Sequence, residues 1–292
     1  MIDKQSFFEK FRRYLPDTPD AERIIDYQLA GETPPGAVFE ENVFYGRGGD
    51  RELLLNIYRR ADTGERRPGI VFIHGGGFVA GHPLMHLRHI HQLALRGWVA
   101  ATIQYRLVQQ APLPAALEDA KCAVRWMRAN HAVLGLDPNR IAVGGASAGA
   151  YLAAMVALTP GRFEGTGGWH AFPSHVGAAV LFYPLVDMRG SGAARKAIAM
   201  LFGGDVSDQD LAEASPVTHL QPDAPPMVTL TGEIDRLTPV GPIRNMHAEL
   251  DRLNVANRLE VFAGMPHAFD IMPERWQACF DIFSPFLERH VG

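Results

Sequence analysis

Short apolar segments alternate with helical segments from residue 70 to the end of the chain, and this alternation restricts the fold more than any other feature. The segments are short and rich in β-branched residues, as expected for strands that are buried on both faces. They lie at residues 70–73, 99–103, 141–143, 176–182, 227–231 and 259–262. Strands separated by helices form βαβ units and a parallel sheet covered on both sides. The pattern therefore predicts the α/β class.

Two further strands precede this region. Residues 38–45 and 53–58 are strand-like, and the turn-forming sequence Gly46-Arg47-Gly48-Gly49-Asp50 joins them as a hairpin. We therefore expect an eight-stranded, mostly parallel sheet with helices on both faces and a small cap.

The chain also predicts two additions to this sheet. Phenylalanine and leucine residues recur at helical spacing near the N-terminus, which predicts a helical cap segment at 1–37 before a main domain at 38–292. The connection at about 187–226 is longer than a plain crossover needs, so we expect it to form a lid-like insertion.

Charge and hydropathy exclude several classes of function. The 292 residues contain 28 lysines and arginines against 32 acids, a net charge of −4, whereas a nucleic-acid-binding domain is usually basic. No apolar run approaches the roughly 18 residues of a membrane span, and the first residues lack the core of a signal peptide. We expect a cytoplasmic protein without nucleic-acid partners or stable membrane insertion. The two cysteines, Cys122 and Cys279, are expected to be reduced and buried.

A candidate nucleophile lies directly after the strand at 141–143. The motif Gly145-x-Ser147-x-Gly149 occurs there, and an apolar helix follows at 148–158. A sharp turn from strand to helix needs small flanking residues, and it raises the serine hydroxyl above the sheet at the positive end of the helix. The alternative is a glycine-rich turn with an inert serine.

A second glycine-rich loop follows the strand at 70–73. In His74-Gly75-Gly76-Gly77-Phe78, three glycines leave backbone N–H groups free of side chains. Two of these donors, with the N–H of Ala148 after the serine, could hold a developing oxyanion. The alternative is a phosphate-binding loop, although no lysine follows at Walker spacing. We expect His74 to fix the loop rather than act as an acid or base.

A base and an acid follow two later strands. His267 comes after the strand at 259–262, and Asp235 comes after the strand at 227–231. Neighbouring strand ends would place them side by side, and the order serine, acid, histidine is expected on this sheet. Glu233 and Asp187 are rival acids, and Asp187 is expected instead to organise the start of the lid.

Four histidines, His82, His86, His89 and His91, crowd the segment after the glycine loop. No acid is close to them in the sequence, so we expect no metal site and solvated or helix-face histidines. His82 and His86 could instead edge a substrate pocket. Trp169 could line the pocket or cover the surface of the fold.

These motifs together resemble the α/β-hydrolase serine esterases of the hormone-sensitive-lipase-like group, near the bacterial acetyl/feruloyl esterase branch. Tyr105-Arg106-Leu107, Asp137-Pro138-Asn139-Arg140-Ile141 and the stretch at 113–120 also carry the resemblance. It implies Ser147 as the nucleophile, His267 as the base, Asp235 as the acid, and Gly76, Gly77 and Ala148 as oxyanion donors. It further implies a serine carboxylesterase that has a small-molecule substrate and needs no cofactor or metal. The small cap and the lack of a long apolar groove in the sequence predict short-chain esters.

Four questions stay open from the sequence. The first is whether the same triad serves an amidase such as an arylformamidase or a peptidase, although Gly77 favours esters. The second is whether the chain is a non-catalytic, ligand-binding member of the fold. The third is whether it forms a homodimer. The fourth is the substrate, since Ala146 and Ala268 differ from residues common in the group.

Overall fold

A single eight-stranded sheet forms the centre of the structure, a computed structural model that describes residues 36–61, 66–189 and 192–292. Its strands are β1 (Ala37–Gly48), β2 (Arg51–Arg60), β3 (Arg67–Ile73), β4 (Val99–Ile103), β5 (Leu136–Ala146), β6 (Ala179–Phe182), β7 (Met227–Gly232) and β8 (Asn257–Phe262). Their order across the sheet is β1-β2-β4-β3-β5-β6-β7-β8. Strands β1 and β2 are antiparallel to their neighbours, and β3 to β8 are parallel. The predicted α/β class and mostly parallel sheet are confirmed.

Helices connect the parallel strands and cover the sheet. They are α1 (Leu87–Leu95), α2 (Ala115–Ala129), α3 (His131–Leu134), α4 (Ala148–Leu158), α5 (Gly192–Leu201), α6 (Asp208–Glu213), α7 (Val240–Arg252) and α8 (Trp276–His290). Short 3-10 helices lie at Pro216–His219 and Phe269–Ile271. Within the described ranges, no helix is both long and apolar enough to cross a membrane.

The strands are buried on both faces, as their composition predicts. In β3, Val71 and Ile73 belong to one buried cluster, whereas Ile70 and Phe72 belong to a second cluster. Alternate side chains of a strand point to opposite faces, so the two clusters are the two cores that flank the sheet. Helices α2 and α4 contribute to the first cluster, and α1 and α8 contribute to the second.

The long connection between β6 and β7 contains α5, α6 and the 3-10 helix Pro216–His219. Helix α6 begins with a capping box, in which Ser207 and Asp210 satisfy each other's backbone N–H groups. The end of α5 joins the main domain through a hydrogen bond from Leu113 N–H to Leu201 O. The function of this segment as a lid stays a prediction, and the predicted helices at 1–37 lie almost entirely outside the described residues.

Candidate active site

Ser147 occupies the sharp turn between β5 and α4. Its φ of 55° and ψ of −119° are strained for a residue with a side chain. The flanking glycines permit the turn, because a Cβ on Gly145 would lie 2.3 Å from Gly149 O, and one on Gly149 would lie 2.1 Å from Ile73 O. The N–H of Ser147 donates to Phe182 O on the neighbouring strand at 2.9 Å. Contacts with β6 and with the end of β3, which flank β5 in the sheet, therefore hold the turn in place.

The structure brings Ser147, His267 and Asp235 together in one hydrogen-bonded chain. His267 Nε2 lies 2.9 Å from Ser147 Oγ, and His267 Nδ1 lies 2.6 Å from Asp235 Oδ2. A carboxylate only accepts, so Nδ1 carries the proton and Nε2 is free to accept the hydroxyl proton of the serine. This arrangement can activate a hydroxyl for nucleophilic attack.

The sheet explains why residues so distant in sequence meet. Gly232 at the end of β7 is paired with Phe262 at the end of β8, so the loops that follow leave the sheet side by side. These loops carry Asp235 and His267. Strand β5, which ends before Ser147, lies two strands from β7 in the same parallel arrangement. All three side chains are therefore at the carboxyl edge, where ligands bind on such sheets.

Four hydrogen bonds, including the one from His267, hold the carboxylate of Asp235. Oδ1 accepts from the backbone N–H groups of Leu237 at 2.8 Å and Thr238 at 2.9 Å, and Oδ2 accepts from Thr238 Oγ1 at 2.9 Å. Burial raises the pKa of Asp235, but the hydrogen bonds from His267 and Thr238 outweigh burial and lower the pKa below its ordinary value. Asp235 is therefore an anion that orients the imidazole.

Neither rival acid contacts His267 in this way. Glu233 accepts from Gly264 N–H at 2.9 Å and so braces the loop that carries His267. Asp187 accepts from Arg189 Nε at 2.9 Å and from Ser215 Oγ at 3.3 Å, at the start of the β6–β7 connection. The hydrogen bonds from Arg189 lower the pKa of Asp187.

The glycine loop after β3 lies against the serine turn. A Cβ on Gly75 would lie 3.3 Å from Ser147 Cβ and 2.9 Å from Ala146 O. Gly76, with a φ of 119°, and Gly77, with a φ of 61°, have backbone conformations that favour glycine. The N–H groups of this loop and of Ala148 are thus close to the candidate nucleophile.

His74 holds this loop in place. Its Nδ1 donates to Gly75 O at 2.7 Å, and its ring stacks on that of Tyr105 with centroids 4.4 Å apart. The Tyr105 hydroxyl donates to His74 O at 3.0 Å. Burial lowers the pKa of His74 to about 3, so this imidazole is neutral and does not serve as a base near neutral pH.

Two residues that the sequence did not single out complete the surroundings of His267. Tyr183 follows β6 directly, and its ring centroid lies 4.5 Å from that of His267. The Tyr183 hydroxyl donates to Asp270 Oδ1, and Asp270 is fully buried three residues after His267. An acid between the apolar residues Phe269 and Ile271 was the available signal for a buried charge.

The prediction of solvated or helix-face histidines after the glycine loop was wrong about solvation, although His89 and His91 do lie in helix α1. His86, His89 and His91 are buried, and Asp270, which is distant in sequence, lies beside His86 and His89. His86 Nδ1 lies 3.1 Å from Asp270 Oδ2, so His86 belongs to the interior and not to the edge of a substrate pocket.

The other two predicted substrate-binding residues have different positions. His82 lines a cavity of about 220 Å³ together with His74 and Gln104, beside the glycine loop. Trp169 is 37% exposed, and its Nε1 donates to Tyr45 O on β1 at 2.7 Å. Of its two predicted positions, the structure thus shows the one that covers the fold.

Comparison with known proteins gives a consistent result. A family model described as BD-FAE matches residues 55–250. Two Mycobacterium tuberculosis proteins are similar in sequence: the probable carboxylic ester hydrolase LipM, 34% identical over 251 residues, and the esterase LipQ, 31% identical over 245 residues. The matches cover 79% and 78% of this chain, and 56% of each relative. The chain thus spans little more than half the length of these relatives.

A solved structure with a similar fold is that of the Thermogutta terrifontis esterase Est2. It is 28% identical, with a TM-score of 0.77, and the match covers 87% of this chain and 92% of that chain. Other structures of the same esterase are described as butyrate-bound and as phosphonylated by sarin.

Proposed function

Because this chain has the α/β-hydrolase fold and belongs to the BD-FAE family, we propose that it is a serine carboxylesterase. The observation that carries the proposal is the continuous chain from Ser147 Oγ through His267 to Asp235, with distances of 2.9 and 2.6 Å. LipM is named a probable carboxylic ester hydrolase, and LipQ and Est2 are named esterases, which supports the same activity. The substrate would be a small ester, and the proposed chemistry needs no cofactor.

In the proposed mechanism, Ser147 Oγ attacks the acyl carbon of the ester while His267 Nε2 takes the hydroxyl proton. The tetrahedral intermediate collapses, and the His267 imidazolium gives its proton to the departing alkoxide, which leaves as the alcohol. Water then attacks the acyl-enzyme with His267 again as the base, and Ser147 regains its proton when the acid is released. Asp235 keeps His267 in the required tautomer and stabilises the imidazolium.

The oxyanion of each intermediate would accept hydrogen bonds from backbone N–H groups of Gly76, Gly77 and Ala148. Support comes from the contact between the glycine loop and the serine turn, and from the position of Ala148 at the first residue of α4. A helix N-terminus favours negative charge, and donors fixed by the backbone need no reorganisation during the reaction.

We further propose that the acyl group is short, with about two to six carbons. A cavity of about 140 Å³ lies between α2, α4 and the β6–β7 connection, and Leu117, Tyr151, Met155 and Phe202 are among its lining residues. One of these residues, Tyr151, is one helical turn after Ser147 in α4. The volume is well below the roughly 300–1,000 Å³ of pockets for drug-sized ligands. The butyrate-bound structure of Est2 supports an acyl group of this size.

We also propose that the β6–β7 connection, residues 187–226, is a lid over this cavity. Phe202, Asp210, Glu213 and Ala214 of this connection line the cavity on one side. Segments in such positions set the size of the bound acyl group and exclude water from the reaction.

A panel of p-nitrophenyl esters from acetate to palmitate, with a matched amide, tests this function. We expect the highest kcat/KM between acetate and hexanoate, and much slower amide hydrolysis. Ser147→Ala should lower kcat by a factor of order 10⁴–10⁶ with an unchanged circular dichroism spectrum. If the pure Ser147→Ala variant kept more than a few per cent of the activity, Ser147 would not be the nucleophile. Activity that rises from acetate through palmitate would contradict a short acyl pocket.

A further inference from the structure

A second cluster of titratable side chains lies in the interior, apart from Ser147. It consists of His86, His89 and Asp270, with exposed fractions of 2%, 2% and 0%. The two histidines are three residues apart at the start of α1, a spacing that places them on one face of the helix. Asp270 belongs to the 3-10 helix after β8 and meets them from the opposite end of the chain. No step of the proposed ester hydrolysis uses these three side chains.

One nitrogen of each histidine points at the same carboxylate oxygen. His86 Nδ1 lies 3.1 Å and His89 Nε2 lies 3.4 Å from Asp270 Oδ2. One potential ligand atom from each of the three residues lies within 4.8 Å of the others. For metal–ligand bonds of about 2.0–2.1 Å, the edge of a ligand tetrahedron is about 3.3 Å. The separations of 3.1 and 3.4 Å from Asp270 Oδ2 are close to this edge length.

The burial of the carboxylate suits a cation. Asp270 is 0% exposed, and a cation beside it would compensate the negative charge that the fold buries there.

The surroundings orient these groups. The Tyr183 hydroxyl donates to Asp270 Oδ1, which fixes the carboxylate and leaves Oδ2 facing the two nitrogens. The ring of His89 lies between Phe182 and Phe283, with both centroid distances 5.3 Å. Outer hydrogen bonds and apolar walls of this kind hold the ligands of protein metal sites in place.

We propose that His86, His89 and Asp270 supply three ligands to a divalent transition-metal ion of the zinc class, with a water molecule in the fourth position of the tetrahedron. Imidazole and carboxylate ligands suit zinc and cobalt, whereas magnesium prefers oxygen ligands and retains its waters. Because Asp270 follows His267 by three residues and shares Tyr183 with it, a bound ion would anchor the loop that carries the candidate catalytic base. This inference does not depend on the proposed esterase activity.

The first test measures metal binding by the full chain. The purified protein is dialysed against a chelator, and Zn²⁺ is then titrated by calorimetry, with Mg²⁺ as a comparison. We expect one Zn²⁺ per chain, no comparable binding of Mg²⁺, and a Tm increase of about 5 °C at 100 times Kd. Bound Co²⁺ should give the visible absorption of a tetrahedral ion. Absence of stoichiometric Zn²⁺ and Co²⁺ binding would overturn the proposal.

The second test locates the site with two matched variants on α1. His89→Phe removes a proposed ligand but keeps an aromatic ring between Phe182 and Phe283. His91→Phe makes the same change at a buried histidine that packs against Tyr58, with ring centroids 5.3 Å apart, outside the cluster. We expect His89→Phe to lose Zn²⁺ binding and His91→Phe to retain it, with Asp270→Asn as a second loss variant. Zn²⁺ binding by folded His89→Phe with the affinity of the original chain would contradict the proposed ligands.

Discussion

The ring of Tyr183 packs against the imidazole of His267, with centroids 4.5 Å apart and planes inclined by 59°. Tyr183 has a φ of 40°, a conformation that few residues with side chains adopt, and its N–H donates to Leu230 O at 2.7 Å. The ring thus extends from the end of β6 to His267. The candidate base therefore packs against an aromatic side chain whose hydroxyl donates a hydrogen bond to Asp270.

The two parts of Tyr183 should have separable effects. Tyr183→Phe keeps the ring but removes a hydrogen bond to a buried carboxylate, which contributes about 1.5–3 kcal/mol. We expect a Tm lower by about 3–10 °C and a kcat within about tenfold of the original. Tyr183→Ala also removes the support of His267 and should lower kcat further at similar KM. Equal kcat values for the two folded variants would show that the ring does not position His267.

The identity of the acid can be tested with two asparagine variants. Asp235→Asn keeps the shape but offers an amide, which favours the wrong tautomer of His267, so kcat should fall by roughly 10³–10⁴ at neutral pH. Asp187→Asn leaves His267 untouched and disturbs only the contacts with Arg189 and Ser215, so kcat should fall less than about tenfold. Steady-state kinetics on p-nitrophenyl butyrate gives both values. An inactive Asp187→Asn beside an active Asp235→Asn would place the acid after β6 instead.

Much of this architecture could be predicted because the relevant signals are local. The apolar runs of β3 and β4 and the small residues around Ser147 determine local structure through nearby residues alone. The bounds of α4, Ala148–Leu158, match the predicted range, since the turn fixes its start and Thr159 ends its apolar run. The meeting of Asp235 and His267 follows from one further rule, that neighbouring parallel strands end at one edge.

The interior polar cluster could not be predicted in the same way. Asp270 and His86 are 184 residues apart, and neither has a sequence motif that indicates the other. No acid is close to the histidines along the chain, and α1 and the loop after β8 meet only through folding. The role of Tyr183 has no local signal either, because it depends on a backbone turn at the end of β6 that no glycine marks.

The serine turn should tolerate no side chain at Gly149. A Cβ there would lie 2.1 Å from Ile73 O and 2.5 Å from His74 O, and both are backbone atoms that cannot move aside. We therefore expect Gly149→Ala to misplace Ser147 relative to the glycine loop, with a loss of activity of at least 10²-fold and reduced solubility. The matched control is Gly241→Ala in α7, where a Cβ meets nothing within 4 Å. This variant should raise the unfolding free energy by about 0.5–1 kcal/mol. Activity and urea unfolding of both variants check this, and an active Gly149→Ala would contradict the close packing of the turn.

Stability should fall as the pH decreases below about 6.5, and buried histidines are one cause. Burial lowers the pKa of His74 to about 3 and that of His91 to about 4, with Arg88 adding to the shift in His91. Between these values and the unfolded pKa of about 6.5, the unfolded chain binds protons that the folded chain does not. For each of these two histidines, the unfolding free energy therefore decreases by up to about 1.4 kcal/mol per pH unit of acidification.

The variant His91→Phe removes one of these groups and keeps a ring against Tyr58. Between pH 6.5 and pH 4.5, the unfolding free energy of the variant should decrease by about 2 kcal/mol less than that of the original chain. The reason is that the unfolded variant lacks the His91 imidazole and so binds one proton fewer. Urea unfolding at both pH values measures this, and the difference between the two proteins at pH 8 gives the packing change to subtract. An identical pH dependence in the two proteins would mean that His91 is protonated in the fold, which its buried position beside Arg88 opposes.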